Sequence, residues 1–404
     1  MQCAGEFRLF LGAVMTAGFL TCLTGCGDSG GTQPAPETKV DTKSGASDNI
    51  VMAICGPMSG SAAAFGEMIK RAAGLKRDEI NDTGGIQGRK ISLVVEDDRG
   101  NTTEATNIAR RIAADERISI VIGHFNSTCT NAAKEEYNRK GIVEFSPGST
   151  NVSVCVGSPW TFRNLYRDDY QGTFLAKYAK QVLGMTKVAV FYDNDDYGKG
   201  LMQAFVKEAK NQGLTTTGEV AYIRERTADF KPLVSQVKDE QIDGIFVAGL
   251  YNEGALIAKA ALTDLKLDVS MLGGDGLMSP QFIKLAGAAA EGAYITTPFL
   301  FDTGNDTEES KIFVEKFTEK YGTAPDTWAA LTYDAVGMAI EAIRTVGSDR
   351  TAIRDWFAAV KTPENGYQGV TGNTYFDDEG DCYSKGAHVA IVKDGKFVPA
   401  PEQL

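Results

Sequence analysis

Residues 118–145, ISIVIGHFNSTCTNAAKEEYNRKGIVEF, decide how this chain folds. Ile118 to Ile122 is a short apolar run of the kind a buried strand uses. Thr130 to Lys140 reads as a helix and Ile142 to Phe145 as a second strand. A strand, one helix and a second strand imply a parallel pair joined by a crossover. The same rhythm runs outward in both directions. Towards the N-terminus lie a strand at Ile50–Cys55, a helix over 66–81, a strand at Lys90–Glu96 and a helix over 103–115. Towards the C-terminus the expected strands are Lys187–Tyr192, Val220–Ile223, Gly244–Ala248 and Met271–Gly273. The expected helices are Gly200–Gln212, Phe230–Asp239, Glu253–Leu262, about 308–321, and Trp328–Val346. Gly372–Phe376 and Ala387–Val392 read as antiparallel strands, with Asp394-Gly395 a hairpin turn before Phe397. The fold class is therefore α/β, with two doubly wound parallel-sheet lobes.

The N-terminus reads as targeting, not fold. Arg8 precedes an apolar run from Leu9 to Leu23, which suits a signal-peptide core and is short for a membrane span. Leu23-Thr24-Gly25-Cys26 resembles a bacterial lipoprotein cleavage box. That resemblance implies a signal peptide over 1–25, cleavage before Cys26 and lipid on its thiol; ordinary signal cleavage is the alternative. Residues 26–49 are rich in Gly, Ser, Thr, Pro and charge and read as a flexible tether. The rest of the 404-residue chain is long for one core, so two lobes are expected. The net charge of −12 with no basic block argues against nucleic acid as a partner. Beyond the signal and Cys26, the cysteines are Cys55, Cys129, Cys155 and Cys382, without any CxxC spacing. In an oxidising compartment they allow three full disulfide pairings, or serve as small buried hydrophobes.

In doubly wound sheets ligands sit beyond the carboxyl ends of strands. The segments found there are Gly56–Gly60 with Phe65-Gly66, His124–Thr128, Ser146–Thr150, Asp193–Gly198, Gly249–Asn252 and Gly273–Gly276. They supply hydroxyls, helix-start N–H groups, tyrosines and one acid set between glycines. Hydroxyls and helix-start N–H groups suit a carboxylate, and an isolated Asp opposes a cation. Anion-binding groups in one lobe and an acid in the other would grip a zwitterion. His124 has no second His near it and no HExxH spacing, so it reads as a brace. Asp97-Asp98 and Asp193, Asp195 and Asp196 lack the spacing of an EF-hand loop and read as solvated or capping carboxylates. No metal or cofactor is expected.

The pieces GPMSGSAAAFGE, INDTGGIQGRKISLVVEDD, VIGHFNST, GIVEFSPGSTN, DYGKG, DFKPLVSQVK, GGDG and LTYDAV run in order from about 50 to 395. In that order they resemble the leucine/isoleucine/valine-type substrate-binding proteins of ABC transporters, a branch of the type I periplasmic binding proteins. The resemblance implies lobes joined by a three-crossing hinge, 50–167 plus 299–388 and 168–298 plus 389–404, closing on an amino acid. It also implies delivery of that ligand to ABC permease subunits, with the protein a monomer at a bacterial cell envelope. By that resemblance the ligand carboxylate falls to Ser127 and to Gly148, Ser149 and Thr150. The ammonium falls to Asp275, where close relatives carry Glu, and Tyr197 comes from the YG motif. Phe65, Tyr251 and Trp328 are expected against the ligand side chain, although the second-lobe aromatic falls formally on Leu250. The family's Cys pair is not matched, since Arg99–Asn101 lacks its Cys.

Two other classes compete. A ligand-sensing subunit would use the same fold, and a non-zwitterionic solute such as an amide, urea or an aromatic acid could occupy the same cleft. An enzyme is not expected: Gly56-Pro57-Met58-Ser59-Gly60 does not form the dinucleotide-binding GxGxxG turn, and no nucleophile–His–acid set is visible.

Overall fold

The computed structural model describes residues 49–301, 303 and 307–404. The signal-peptide, lipidation and most of the tether expectations, including Cys26, lie outside the described residues. The first sheet is built from β1 (Ile50–Gly56), α1 (Ala63–Asp82), β2 (Ile91–Asp97), α2 (Thr102–Ala114), β3 (Ile118–Ile122), α3 (Ser127–Lys140), β4 (Val143–Ser146) and β5 (Thr161–Arg163). Its order is β2-β1-β3-β4-β5, all parallel. β3 sits at the centre with every residue buried, which is why its sequence is unbroken apolar save Ser119.

The second sheet follows with α4 (Asp168–Gln181), β6 (Lys187–Asp193), α5 (Asp196–Asn211), β7 (Thr215–Tyr222), α6 (Lys231–Ser235), β8 (Gly244–Ala248), α7 (Tyr251–Ala258), β9 (Ser270–Gly273), α8 (Pro280–Ala286) and β10 (Tyr294–Thr297). The chain then returns with α9 (Glu308–Tyr321), α10 (Thr327–Val346) and α11 (Arg350–Ala359); α9 and α10 pack on α1. β11 (Tyr367–Gly369) and β12 (Gly372–Thr374) pair with each other. β13 (His388–Lys393) and β14 (Lys396–Pro399) close the second sheet, in the order β14-β13-β10-β9-β8-β6-β7. The chain thus passes between the sheets three times, after β5, after β10 and before β13.

Helix starts are fixed by short polar side chains. Asn101 accepts from the N–H of Thr103 and Glu104, Asp195 from Gly198, Thr307 from Ser310, and Asp326 from Ala329. Each satisfies N–H groups that have no partner inside the helix. Asp394 and Gly395, both at positive φ, make the tight turn between Lys393 and Lys396.

Several elements differ from the sequence reading. β7 begins at Thr215, not Val220: this is an edge strand whose Thr and Glu side chains are largely exposed, so the apolar signal covers only its end. The helix expected over Phe230–Asp239 holds only from Lys231 to Ser235. The helix expected from Glu253 starts at Tyr251 and passes at Lys259 into a π-helical turn ending at Asp264. The strand expected at Gly372–Phe376 does not join the tail strands; it pairs locally with Tyr367–Gly369. Cys55, Cys129, Cys155 and Cys382 are all buried free thiols, so none of the three pairings forms and they pack as small apolar residues.

Candidate functional site

The two sheets meet across a cleft at the carboxyl ends of their strands. Hydrogen bonds cross it at several points. Asn131 Nδ2 donates to Asp196 Oδ2 at 2.8 Å, and the Asp196 N–H donates to Thr128 Oγ1 at 3.1 Å. The Ala64 N–H donates to the Tyr251 hydroxyl at 3.3 Å, and Trp328 Nε1 donates to the Met278 carbonyl at 2.9 Å. Between these links lies a cavity of about 20 Å³ walled by Phe125, Ser127, Gly148, Tyr197, Asp275 and Trp328, among others. That is room for roughly one water molecule.

On the first side, α3 begins at Ser127. Asn126 precedes it with no capping bond from its side chain, and its Oδ1 is buried without a partner. The Ser127 hydroxyl accepts from the Asn151 N–H at 3.1 Å. An uncapped helix start with a hydroxyl beside it is a seat for negative charge. His124 stands behind this loop. Its Nδ1 is 2.6 Å from Asp98 Oδ2 and its Nε2 is 3.2 Å from the Tyr137 hydroxyl, all fully buried, so both nitrogens are committed to holding the loop.

The SPGST loop divides its labour differently from the sequence expectation. The Ser149 hydroxyl bonds Thr130 Oγ1 at 2.6 Å and the Phe125 carbonyl at 2.9 Å, so it ties the two loops together. Thr150 Oγ1 is buried without a partner, and Thr150 is not on the cavity wall. Gly148 is on the wall, and a Cβ there would lie 2.2 Å from Phe125 Cδ2.

On the second side, Asp275 follows β9 and is 1% exposed. Its Oδ1 accepts from the Tyr197 hydroxyl at 2.8 Å, and the same hydroxyl accepts from the Gly276 N–H at 3.0 Å. Asp275 Oδ2 has no partner. Burial pushes the Asp275 carboxyl up to about 7, against the lowering effect of the Tyr197, Gln171 and Tyr166 side chains, the last standing near without strict hydrogen-bond geometry. The glycines of GGDG let this turn approach its neighbours: a Cβ on Gly276 would meet the Gly249 carbonyl at 2.5 Å.

Four rings form one cluster at the apolar end. Phe65 stacks on Phe125 with centroids 4.7 Å apart and meets Tyr251 and Trp328 edge-on at 4.9 and 5.7 Å. Phe125 meets Trp328 at 4.9 Å. Tyr251 is in this cluster but Leu250 is the residue on the cavity wall. Sequence reasoning therefore placed Ser127, Gly148, Tyr197, Asp275 and Trp328 on one cavity and missed Phe125, for which no local signal was available.

It also missed Asp168. This first residue of α4 is fully buried, and neither carboxylate oxygen has a hydrogen-bond partner. Burial raises its pKa well above the carboxylate range and the charge of Asp275 raises it further, against a lowering effect of the nearby Thr150 hydroxyl, which lies outside strict hydrogen-bond geometry. Its element was unread, which left it without a context. Acids singled out in the sequence are engaged: Asp97 accepts from Met58, Ser59 and Arg99 N–H groups, and Asp193 and Asp195 hold Arg224. Among the described residues no group of three or more His, Cys, Asp or Glu side chains could hold a metal ion, and no helix is long and apolar enough to cross a membrane.

Two mainly parallel α/β sheets, crossed three times by the chain and facing each other across a polar cleft, define the two-lobed binding-protein class. The match to a family model described as periplasmic binding protein spans residues 49–396. The chain belongs to the periplasmic binding protein family, with the type I fold. It is 31% identical over 336 residues to Leu/Ile/Val-binding protein homolog 1 of Brucella suis, covering 82% of this chain and 87% of that one. It is similar in structure to the leucine binding protein LivK of Thermotoga maritima, with TM-score 0.81, 30% identity and coverage of 87% and 97%. The branched-chain amino acid transporter substrate binding protein LivJ of Streptococcus pneumoniae, solved in complex with isoleucine, gives TM-score 0.80 at 29% identity, with coverage of 86% and 97%.

Proposed function

We propose that this chain is an extracytoplasmic solute-binding protein that captures an amino acid, branched-chain or a similar small zwitterion, and delivers it to an ABC permease. The observation that carries the reading is one cavity with an uncapped helix start and Ser127 on one side and a buried, half-satisfied Asp275 held by Tyr197 on the other. The ligand carboxylate lies at Ser127 and the Gly148–Thr150 loop, and its ammonium at Asp275. Phe65, Phe125, Tyr251 and Trp328 pack against its side chain. The lobes, 50–167 plus 299–388 and 168–298 plus 389–404, close as bodies around the ligand by hinge motion; periplasmic binding proteins are a standard example of such closure. An amino acid is larger than the present cavity, so the lobes or the aromatic rings give way as it enters. Names of relatives that bind leucine, isoleucine and valine support the ligand class. Lipid on Cys26 holds the protein, as a monomer, to a bacterial membrane in the periplasm or at the envelope surface.

A second reading has a specific observation behind it. Asp275 has no cationic partner among the described residues and its carboxyl is pushed up to about 7 by burial. In its protonated form it would donate a hydrogen bond to a neutral amide. Calorimetric titration with leucine, and with leucine analogues lacking the ammonium group, separates the two.

A further inference from the structure

A second cavity, of about 550 Å³, lies between the two layers beside the cleft, sharing none of the cleft cavity's lining residues but bordered by Met278, the partner of Trp328, and by Thr327 next to it. That volume falls in the range of small-molecule sites. Its walls come from both layers: Ile283 of α8 and Phe397 of β14 on one side, Val314 of α9 on the other, and Phe299 and Phe301 from the crossing between them. Two hydroxyls among the lining residues are buried and have no hydrogen-bond partner. They are Ser310, 2% exposed, near the start of α9, and Thr327, 3% exposed, at the start of α10. A buried hydroxyl without a partner costs free energy that a ligand carrying one polar group recovers. The charged lining residues, Lys311, Lys396, Glu315 and Asp326, are of both signs, so neither sign dominates the wall. A charged ligand would be desolvated there without net compensation, whereas three phenyl rings suit a planar apolar body.

We propose that this cavity is a second binding site, for a small neutral molecule with an aromatic or compact apolar body and a single hydroxyl or carbonyl that bonds Ser310 and Thr327. The site uses none of the residues that line the cleft cavity.

The test is calorimetric titration of the mature chain with p-cresol, and with p-toluate as the charged counterpart of similar shape. The expected result is one p-cresol bound per chain, with p-toluate at least roughly tenfold weaker because its carboxylate is desolvated. Val314→Trp, which fills the cavity, removes p-cresol binding. Ser310→Ala and Thr327→Val, which need no repacking, each weaken it roughly three- to tenfold, the value of one hydrogen bond. The proposal is overturned if p-cresol does not bind at millimolar concentration, if p-toluate binds equally well, or if binding survives in folded Val314→Trp. Unchanged affinity in both hydroxyl variants overturns it as well.

Discussion

The Phe125 ring occupies the space that a side chain at position 148 would need: a Cβ on Gly148 would lie 2.2 Å from Phe125 Cδ2 and 2.5 Å from Cε2. The two residues sit on loops after neighbouring strands, β3 and β4, so they form a matched pair on the cavity wall. Gly148→Ala is expected to destabilise the protein by about 1–3 kcal/mol through overpacking. Adding Phe125→Leu should return much of that loss, because the smaller side chain vacates the space. Urea unfolding of the two single variants and the double variant measures the coupling. Additive effects would mean that the pair is independent.

Trp328 joins the aromatic cluster to the opposite layer through its Nε1–H on the Met278 carbonyl at 2.9 Å. Trp328→Phe keeps a ring and loses that link. Amino-acid affinity should fall roughly three- to tenfold, the value of one hydrogen bond. Of the chain's three tryptophans, Trp328 alone lines the cleft cavity, so the ligand-induced fluorescence change should vanish in the same variant. A fluorescence change of unaltered size in Trp328→Phe would place the responding tryptophan elsewhere.

Much of this site was readable from the sequence because parallel α/β sheets display their functional residues at strand ends. The apolar run Ile118–Ile122 and the glycine-flanked Asp275 marked two of those ends directly. Phe125 was not readable as a wall residue because nothing local states that its ring meets Gly148 across a strand pair. α4 was missed because its buried polar residues, Asp168 and Gln171, weaken the apolar stripe, and with it went Asp168. The partners of the Ser149 hydroxyl were unreadable for a related reason: a hydroxyl in a loop points wherever the neighbouring loop offers partners, here Thr130 and Phe125.

Binding should depend on pH through Asp275. Its folded-state pKa, about 7, lies above the ordinary 3.8, so the ligand-free fold holds the proton. Between about pH 4 and pH 7 the carboxyl therefore costs progressively more stability as pH rises. A zwitterion's ammonium requires the ionised form, so binding releases a proton in that window. The Kd should improve by up to about tenfold per pH unit from pH 5 to 7 and then level off. Titrations at pH 6 in buffers of different ionisation enthalpy count the proton. A pH-independent Kd across this range would show that Asp275 does not ionise on binding.

Asp168 gives a complementary expectation. Its carboxyl is buried with only the Thr150 hydroxyl near it, and its raised folded-state pKa means that rising pH lowers its contribution to stability. Asp168→Asn should therefore stabilise the ligand-free protein more at pH 8 than at pH 5, by about 1 kcal/mol or more. Thermal unfolding at the two pH values checks this. Equal effects at both pH values would mean that the side chain does not titrate in the fold.

The most direct measurement compares leucine with 4-methylpentanoate, the same molecule without its ammonium group, on the native chain and on Asp275→Ala by calorimetry. Removing one member of a buried charge pair leaves the other uncompensated, a loss of about 3–5 kcal/mol. The predicted result is one leucine bound per native chain, a loss of leucine affinity of at least roughly a hundredfold in Asp275→Ala, and 4-methylpentanoate binding that is weak and equal in both proteins. Equal losses for leucine and 4-methylpentanoate, or leucine binding unchanged in Asp275→Ala, would contradict recognition of a zwitterion in this cleft.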